Sequence, residues 1–234
     1  MGTTETNTRH RRVRKSNVDK LEAEYTSRMP GVKKDLATAA RESMLVRVAR
    51  SIRRSEKLDG FVVGIGREWV LLALLDPNIY LDGHTAVRIR DVAKVSRRGG
   101  PDTFVGRALA ARGEWPPVAV DVNLDSVADL IRTASDAAPL VTLHVEEYDT
   151  TVCFIGRPVR FGKRSVRLQE ITPEATWRAR PTRWAFADVT RVEFGGRYEQ
   201  ALTIVGGAPP AVSADPGDAA RTRPETEAQV PVVR

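Results

Sequence analysis

Hydrophobic and polar residues change period several times along this chain, and the changes mark its elements. Behind Ser16, an N-cap with Asp19 in the capping-box position, Val18, Leu21 and Tyr25 keep one face, and Pro30-Gly31 ends that short helix. Leu45, Val48 and Ile52 then recur at helical spacing with Arg47, Arg50, Arg53 and Arg54 between them, which predicts an amphipathic basic helix over 36–57. From Gly60 the period drops to two. Phe61, Val63 and Ile65 alternate with smaller residues, Gly66-Arg67-Glu68 reads as a turn, and Trp69 to Leu75 is an apolar run expected of a strand covered on both sides. Asp76-Pro77-Asn78 and Asp82-Gly83 are turn signals. Val87 and Ile89 next alternate with Arg88 and Arg90, and Asp91-Val92 opens a last short strand through Val95.

Gly99-Gly100-Pro101 closes this unit, and two helices are expected to link it to a second β-rich stretch. The first runs from Asp102 to Arg112 with Phe104, Ala108 and Leu109 inward. The second runs from Leu124 to Ala134, capped by Asn123 or Asp125, with Leu124, Val127, Leu130 and Ile131 as its apolar stripe. Strand periodicity returns with Val141, Leu143 and Val145 inward and Thr142, His144 and Glu146 outward. Phe154 to Phe161 and Ser165 to Ile171 come next, joined by a Gly162-Lys163-Arg164 turn, and Tyr198, Ala201, Leu202 and Ile204 close the fold. From Gly206 onward the chain is rich in Pro, Ala and acids and has no period.

These two β-rich stretches repeat one pattern. A shift of ninety-six residues carries Gly60, Val63, Gly66, Val70, Leu72 and Pro77 onto Gly156, Val159, Gly162, Val166, Leu168 and Pro173. One inserted residue later, Asp91, Val92, Lys94 and Val95 fall on Asp188, Val189, Arg191 and Val192. A repeat of this length is one supersecondary unit used twice, and four or five short strands in so few residues bury enough surface by curling into a small barrel. The expected fold is therefore mainly β with helical additions: a basic leader (1–35), the 36–57 helix, a first small β-barrel (58–100), a helical linker (101–138), a second small β-barrel (139–205) and a disordered tail (206–234). Gly60, Gly66, Asp91, Gly156, Gly162 and Asp188 recur as fold determinants. The two aspartates are expected to accept a backbone N–H and fix the turn before the last strand.

The stretch GFVVGIGREWVLLALLDPNIYLDGHTAVRIRDVAKV, with LVTLHVEEYDTTVCFIGRPV and FADVTRVEFGGRYEQAL after it, resembles a bacterial family with no assigned function. Its members carry two tandem small β-barrels of the Src-homology-3-like or Sm-like kind. The resemblance covers about Leu58 to Val205, implies that fold, and brings no catalytic residue with it. RNA-binding Sm proteins are a weaker match, because IRDV at Ile89 to Val92 has Asp where their second motif has Gly, and the second stretch reads FADV. Their RNA pocket therefore maps onto no named residues.

Charge adds a direction. Of the net +7, residues 1–57 contribute +8, residues 58–205 nothing and the rest −1. A nucleic-acid footprint is thus expected on the leader, where Arg9, Arg11, Arg12, Arg14 and Lys15 can neutralise phosphates without reading bases. The single cysteine, Cys153, excludes an intramolecular disulfide and reads as a small buried residue. With no apolar run near the ~20 residues that span a bilayer and no signal-peptide h-region, a cytoplasmic protein is expected.

Candidate chemistry is sparse. Gly64-Ile65-Gly66 leads into a strand, so it is not a dinucleotide loop. His10, His84 and His144 are scattered over the arm, a turn and an exposed strand face, without metal-ligand spacing. Glu146-Glu147-Asp149 reads as a solvated strand end. No catalytic residue, metal or cofactor is expected. The predicted function is a non-enzymatic binding or scaffolding module for a protein partner, with sequence-independent nucleic-acid (RNA) binding as the alternative. The positions at which the copies differ, Trp69 against Ser165 and Arg88 and Arg90 against Ala185 and Ala187, are where function is expected to separate them.

Overall fold

Helix α1 covers 30–41 in the computed structural model, which describes residues 30–210 and 230–231, and it includes Pro30 and Gly31, where the pattern predicts a stop. Val32, Leu36 and Ala39 are its buried face. Ser43 ends it in the left-handed region (φ 47). There the Ser43 N–H donates to the Ala40 carbonyl at 3.2 Å and the Met44 N–H to that of Ala39 at 2.9 Å, which is the Schellman closure. The chain then leaves helical geometry. Residues Leu45–Arg50, expected within the 36–57 helix, form strand β1 instead. In LVRVAR the β-branched Val46 and Val48 alternate with Arg47 and Ala49, and both valines are fully buried. Hydrogen-bonding neighbours on both edges of β1 outweigh the weaker helical spacing.

The first half continues as β2 (Leu58–Ile65), β3 (Trp69–Leu75), β4 (Leu81–Arg88), a 3₁₀ turn over Ile89–Asp91, and β5 (Val92–Gly99). Helix α2 (Phe104–Ala111) comes next, with Phe104 exposed rather than inward. Helix α3 (Val127–Ala137) is capped by Ser126, whose hydroxyl accepts from the Asp129 N–H, rather than by Asn123 or Asp125. The second half comprises β6 (Val141–His144), β7 (Val152–Phe161), β8 (Ser165–Glu170), β9 (Thr182–Ala185), β10 (Arg191–Phe194) and α4 (Arg197–Gly206). Strand β11 (Val230–Pro231) lies within the stretch expected to be a structureless tail and pairs with β7 at Cys153 and Val152.

All pairings are antiparallel and belong to one sheet, ordered β5-β1-β2-β3-β4-β10-β6-β7-β8-β9 with β11 beside β7. Its path is open at β5 and β9, and closure of either half is not among the pairings. The two halves share an internal strand order and a register. Gly60 faces Leu74 as Gly156 faces Glu170, and Val62 faces Leu72 as Pro158 faces Leu168. The irregularity between Val62 and Gly64 recurs between Pro158 and Arg160. The helices fit the same scheme: a ninety-five-residue shift carries Val32, Leu36 and Ala39 onto Val127, Ile131 and Ala134, and both sets pack on their own half's strands. Helix α3, expected as a linker, is the counterpart of α1.

Two cores result. One gathers α1 with apolar residues of all five strands of the first half and the 3₁₀ turn. The other gathers α3 and the second half, and takes in Trp69, Leu71 and Ala86 from the first. Strand β3 therefore buries both faces, Val70 and Leu72 in one core and Trp69 and Leu71 in the other, as its unbroken apolar run predicts. The halves join where β4 pairs with β10, Thr85 opposite Glu193 and Val87 opposite Arg191. Helix α4 is tied to the join from outside. Its own N-cap, Gly196, provides no side chain, and Asp82 at the start of β4 accepts the Arg197 N–H at 2.8 Å. Asp82-Gly83 thus belongs to β4 rather than to a turn, with Gly83 at φ +68 against the Gly195-Gly196 backbone.

The recurrent glycines serve close approach. A Cβ on Gly60 would lie 2.5 Å from the Ala73 carbonyl oxygen, and one on Gly156 would collide with that of Gln169, whereas at Gly162 the nearest atom is 3.4 Å away. Gly156→Ala is expected to destabilise by about 1–3 kcal/mol through overpacking, and Gly162→Ala by no more than about 0.5 kcal/mol. Chemical denaturation of the two variants checks this, and equal midpoints would contradict it.

Candidate functional site

Strand alternation gives the join an apolar face and a polar face. Ala86, Val192, Leu143 and Phe154 pack into the shared core. The neighbouring rows, Thr85-Glu193-Thr142-Ile155 and Val87-Arg191-His144-Cys153, point to the other side. There they meet the end of β1 in a buried ion network. The Arg50 guanidinium is bidentate on Glu146, with Nη2 at 2.7 Å from Oε1. Arg191 reaches Glu56 at 3.3 Å and Glu193 at 3.5 Å. Thr190 Oγ1 accepts the Glu146 N–H at 3.1 Å and lies 2.9 Å from Glu146 Oε2. Burial alone would raise the Glu146 carboxyl, but the Arg50 hydrogen bonds and the charges of Arg191 and Arg50 hold it below its ordinary range. Glu146 and His144, expected to face solvent, are 3% and 1% exposed. An alternating pattern cannot show that both faces of β6 are covered.

A cleft of about 900 Å³ opens beside this network, lined among others by His144, Cys153, Glu193 and Glu199. It places a histidine directly across from the cysteine, His144 on β6 opposite Cys153 on β7, but it does not activate the thiol. Burial, with Glu193 adding to it, pushes Cys153 up to about 12, so no thiolate forms near neutrality. Burial and the Arg191 charge together keep the His144 imidazole neutral, against the pull of Glu193. Arg191 Nη2 donates to Nδ1 at 3.0 Å, which leaves the Nε2 proton for Glu193 at 3.1 Å. Both ring nitrogens are thereby engaged. The network ties the two halves together through Arg50–Glu146 and Arg191–Glu56.

The second feature lies at the far edge of the sheet. Arg160 on β7 faces Arg167 on β8, which faces Arg183 on β9, so three arginines form one row across three strands. Lys163 and Arg164 lie in the Gly162–Arg164 turn between β7 and β8. Together with Gly162 and Ser165 these residues line a cleft of about 410 Å³ that contains no carboxylate among the described residues. Arg183 Nε donates to Ser165 Oγ at 3.1 Å. Among the described residues, Arg160, Lys163 and Arg164 form no ion pair. Over residues 157–183 the sequence holds eight Lys/Arg and two Asp/Glu. This local +6 was the available signal, and averaging charge over 58–205 cancels it against the acids elsewhere in that span.

Of the residues expected to matter, Arg9, Arg11, Arg12, Arg14 and Lys15 lie outside the described residues. Asp91 and Asp188 both precede the last strand of their half, but neither carboxylate takes a backbone N–H. Asp91 faces Arg88 at 3.9 Å and Arg90 at 3.7 Å, and Asp188 accepts from the Tyr148 hydroxyl at 3.3 Å. Gly66 and Gly162 hold equivalent turns, their N–H groups donating to Trp69 and Ser165 carbonyls at 2.9 and 2.8 Å. His84 sits in β4, not in a turn, and stacks on Phe194 at 5.3 Å. Arg88, a position where the copies differ, crosses the join to Glu147 and the Ala187 carbonyl. Among the described residues no group of three or more His, Cys, Asp and Glu could hold a metal ion, and no helix is long and apolar enough to cross a membrane. Compared with known proteins, the chain matches no family model, no curated protein and no solved structure.

Proposed function

We propose that the protein is a non-enzymatic, cytoplasmic binding module whose halves are small barrels of the Src-homology-3-like or Sm-like kind. Its second half captures nucleic acid through the phosphate backbone, without reading sequence. The observation that carries this is the Arg160-Arg167-Arg183 row. Like charges directly opposite each other on neighbouring strands are destabilising, by roughly 0.2–1 kcal/mol per pair. The row gathers three guanidinium groups on one face of the sheet, the footprint that suits a polyanion. The barrel reading is supported by a helix, five strands and a short turn before the fifth strand in each half, and by a common core that gathers all five strands of the first. The leader would add electrostatic capture. A protein partner is the second reading, favoured by Ile204 and Val205, exposed side by side at the end of α4.

The test is a double variant, Arg160→Gln with Arg183→Gln, measured by fluorescence anisotropy against a labelled nucleic acid of mixed sequence. Affinity is expected to fall by about tenfold or more at low salt. The thermal midpoint is expected to stay level or rise, because the row has lost its repulsion. Unchanged affinity in a folded variant would remove the proposal.

A further inference from the structure

Accepting that the arginine row binds phosphates, the form of the nucleic acid is set by the surroundings of the row, and we infer that the ligand is a double helix rather than a single strand. Neighbouring strands lie about 4.8 Å apart, so the three strand-borne arginines span roughly 10 Å on a rigid surface. A duplex presents one phosphate charge per ~1.7 Å of its axis with both strands counted, and each phosphate neutralised releases more counterion from a duplex than from a single strand, about 0.9 against about 0.7. A patch of fixed charge therefore gains more per contact from a duplex.

Single-strand binders offset that deficit with aromatic platforms, each stacked base adding about 1–3 kcal/mol. Among the described residues this cleft has none. Its lining is Arg160, Gly162, Lys163, Arg164, Ser165, Arg167 and Arg183. Aromatic side chains close by belong to the adjacent row, Phe161-Val166-Trp184, which faces the opposite side of the sheet, and to Phe186, which packs against the same core. Trp184 is buried there, with its ring 3.9 Å from that of Phe154 and its Nε1 donating to Glu170 at 3.0 Å. The Phe161 ring is covered by the Arg132 guanidinium at 4.7 Å. Both rings are committed to the fold, and neither can accept a base. The described side chains that face the cleft offer donors to phosphate oxygens and no aromatic ring, so unstacked bases would find no aromatic platform there.

The experiment compares a short labelled duplex with each of its two component strands, chosen to be unstructured, against the full chain and against the Arg160→Gln/Arg183→Gln variant at one low salt concentration. The duplex is expected to bind the wild-type chain about tenfold tighter than either strand, and the variant to lose most of that preference while keeping its circular-dichroism spectrum. Single strands binding as tightly as the duplex, with the variant still weakened, would overturn the duplex inference and leave phosphate binding standing. A duplex preference that survives intact in the variant would place it on the leader and overturn the inference too. Binding of neither form would overturn both.

Discussion

Glu146→Gln should cost the folded protein about 3–5 kcal/mol, the range for removing one partner of a buried ion pair. The side chains of Arg50 and Glu146 are 0% and 1% exposed, and among the described residues the other hydrogen bond of the Arg50 guanidinium is a marginal one to the Glu56 carbonyl at 3.4 Å. A buried guanidinium cannot neutralise itself, so the penalty falls on the fold. Replacing both partners, Arg50→Met with Glu146→Leu, should recover most of the loss, because the paired charges return little net energy over well-packed apolar groups. Urea denaturation of Arg50→Met, Glu146→Leu and the double variant measures this as a cycle. The pH dependence has a definite sign. A carboxyl held below its ordinary 4.5 in the folded state stabilises fully above that value and loses its contribution as pH falls through the folded pKa. The gap between wild type and Glu146→Gln should therefore narrow as pH falls below 4.5 and close only below the folded pKa. A gap that stays constant there, or a Glu146→Gln cost under about 1 kcal/mol, would mean that the pair does not lock the halves.

Trp69→Ala should be comparably damaging, at about 3–5 kcal/mol. It is 1% exposed and its side chain belongs to the core that extends into the second half; its backbone N–H, which the substitution leaves in place, donates to the Leu124 carbonyl at 3.0 Å. The equivalent position in the second half is Ser165, whose hydroxyl accepts from Arg183 at the sheet's far edge, so Ser165→Ala should cost about 1 kcal/mol or less. Because one core spans the join, wild type should melt in a single transition seen alike by probes of either half. Two separate transitions in calorimetry would contradict the shared core.

Several elements were legible because their chemistry is local. The Gly66 and Gly162 turns, the apolar run of β3 and the recurring register of β2–β3 and β7–β8 all stem from alternation and turn residues. The features that escaped depended on neighbours distant in sequence. Strand β1 was hidden because α1 ends on Ser43 in a left-handed conformation, without the Gly or Asn that usually announces such an end. His144 and Glu146 alternate as solvent-facing residues should, yet Arg50 and Arg191 come from other strands to cover them. Trp69 and Arg88, at positions where the copies differ, are contacts across the join, which explains the difference without any chemistry. The arginine row needed the pairing of three strands to be seen. Arg160, Arg167 and Arg183 have no common spacing, and only the register sets them side by side.

The central claim, that this row is a phosphate-binding face, is tested most directly by the salt dependence of nucleic-acid affinity. Plotted as log affinity against log salt, binding by the wild-type chain should fall steeply, by about 0.9 per phosphate neutralised on a duplex. Arg160→Gln and Arg183→Gln should each make the slope shallower by about one unit. Slopes that coincide for wild type and both variants would show that the row touches no phosphate and would contradict the account.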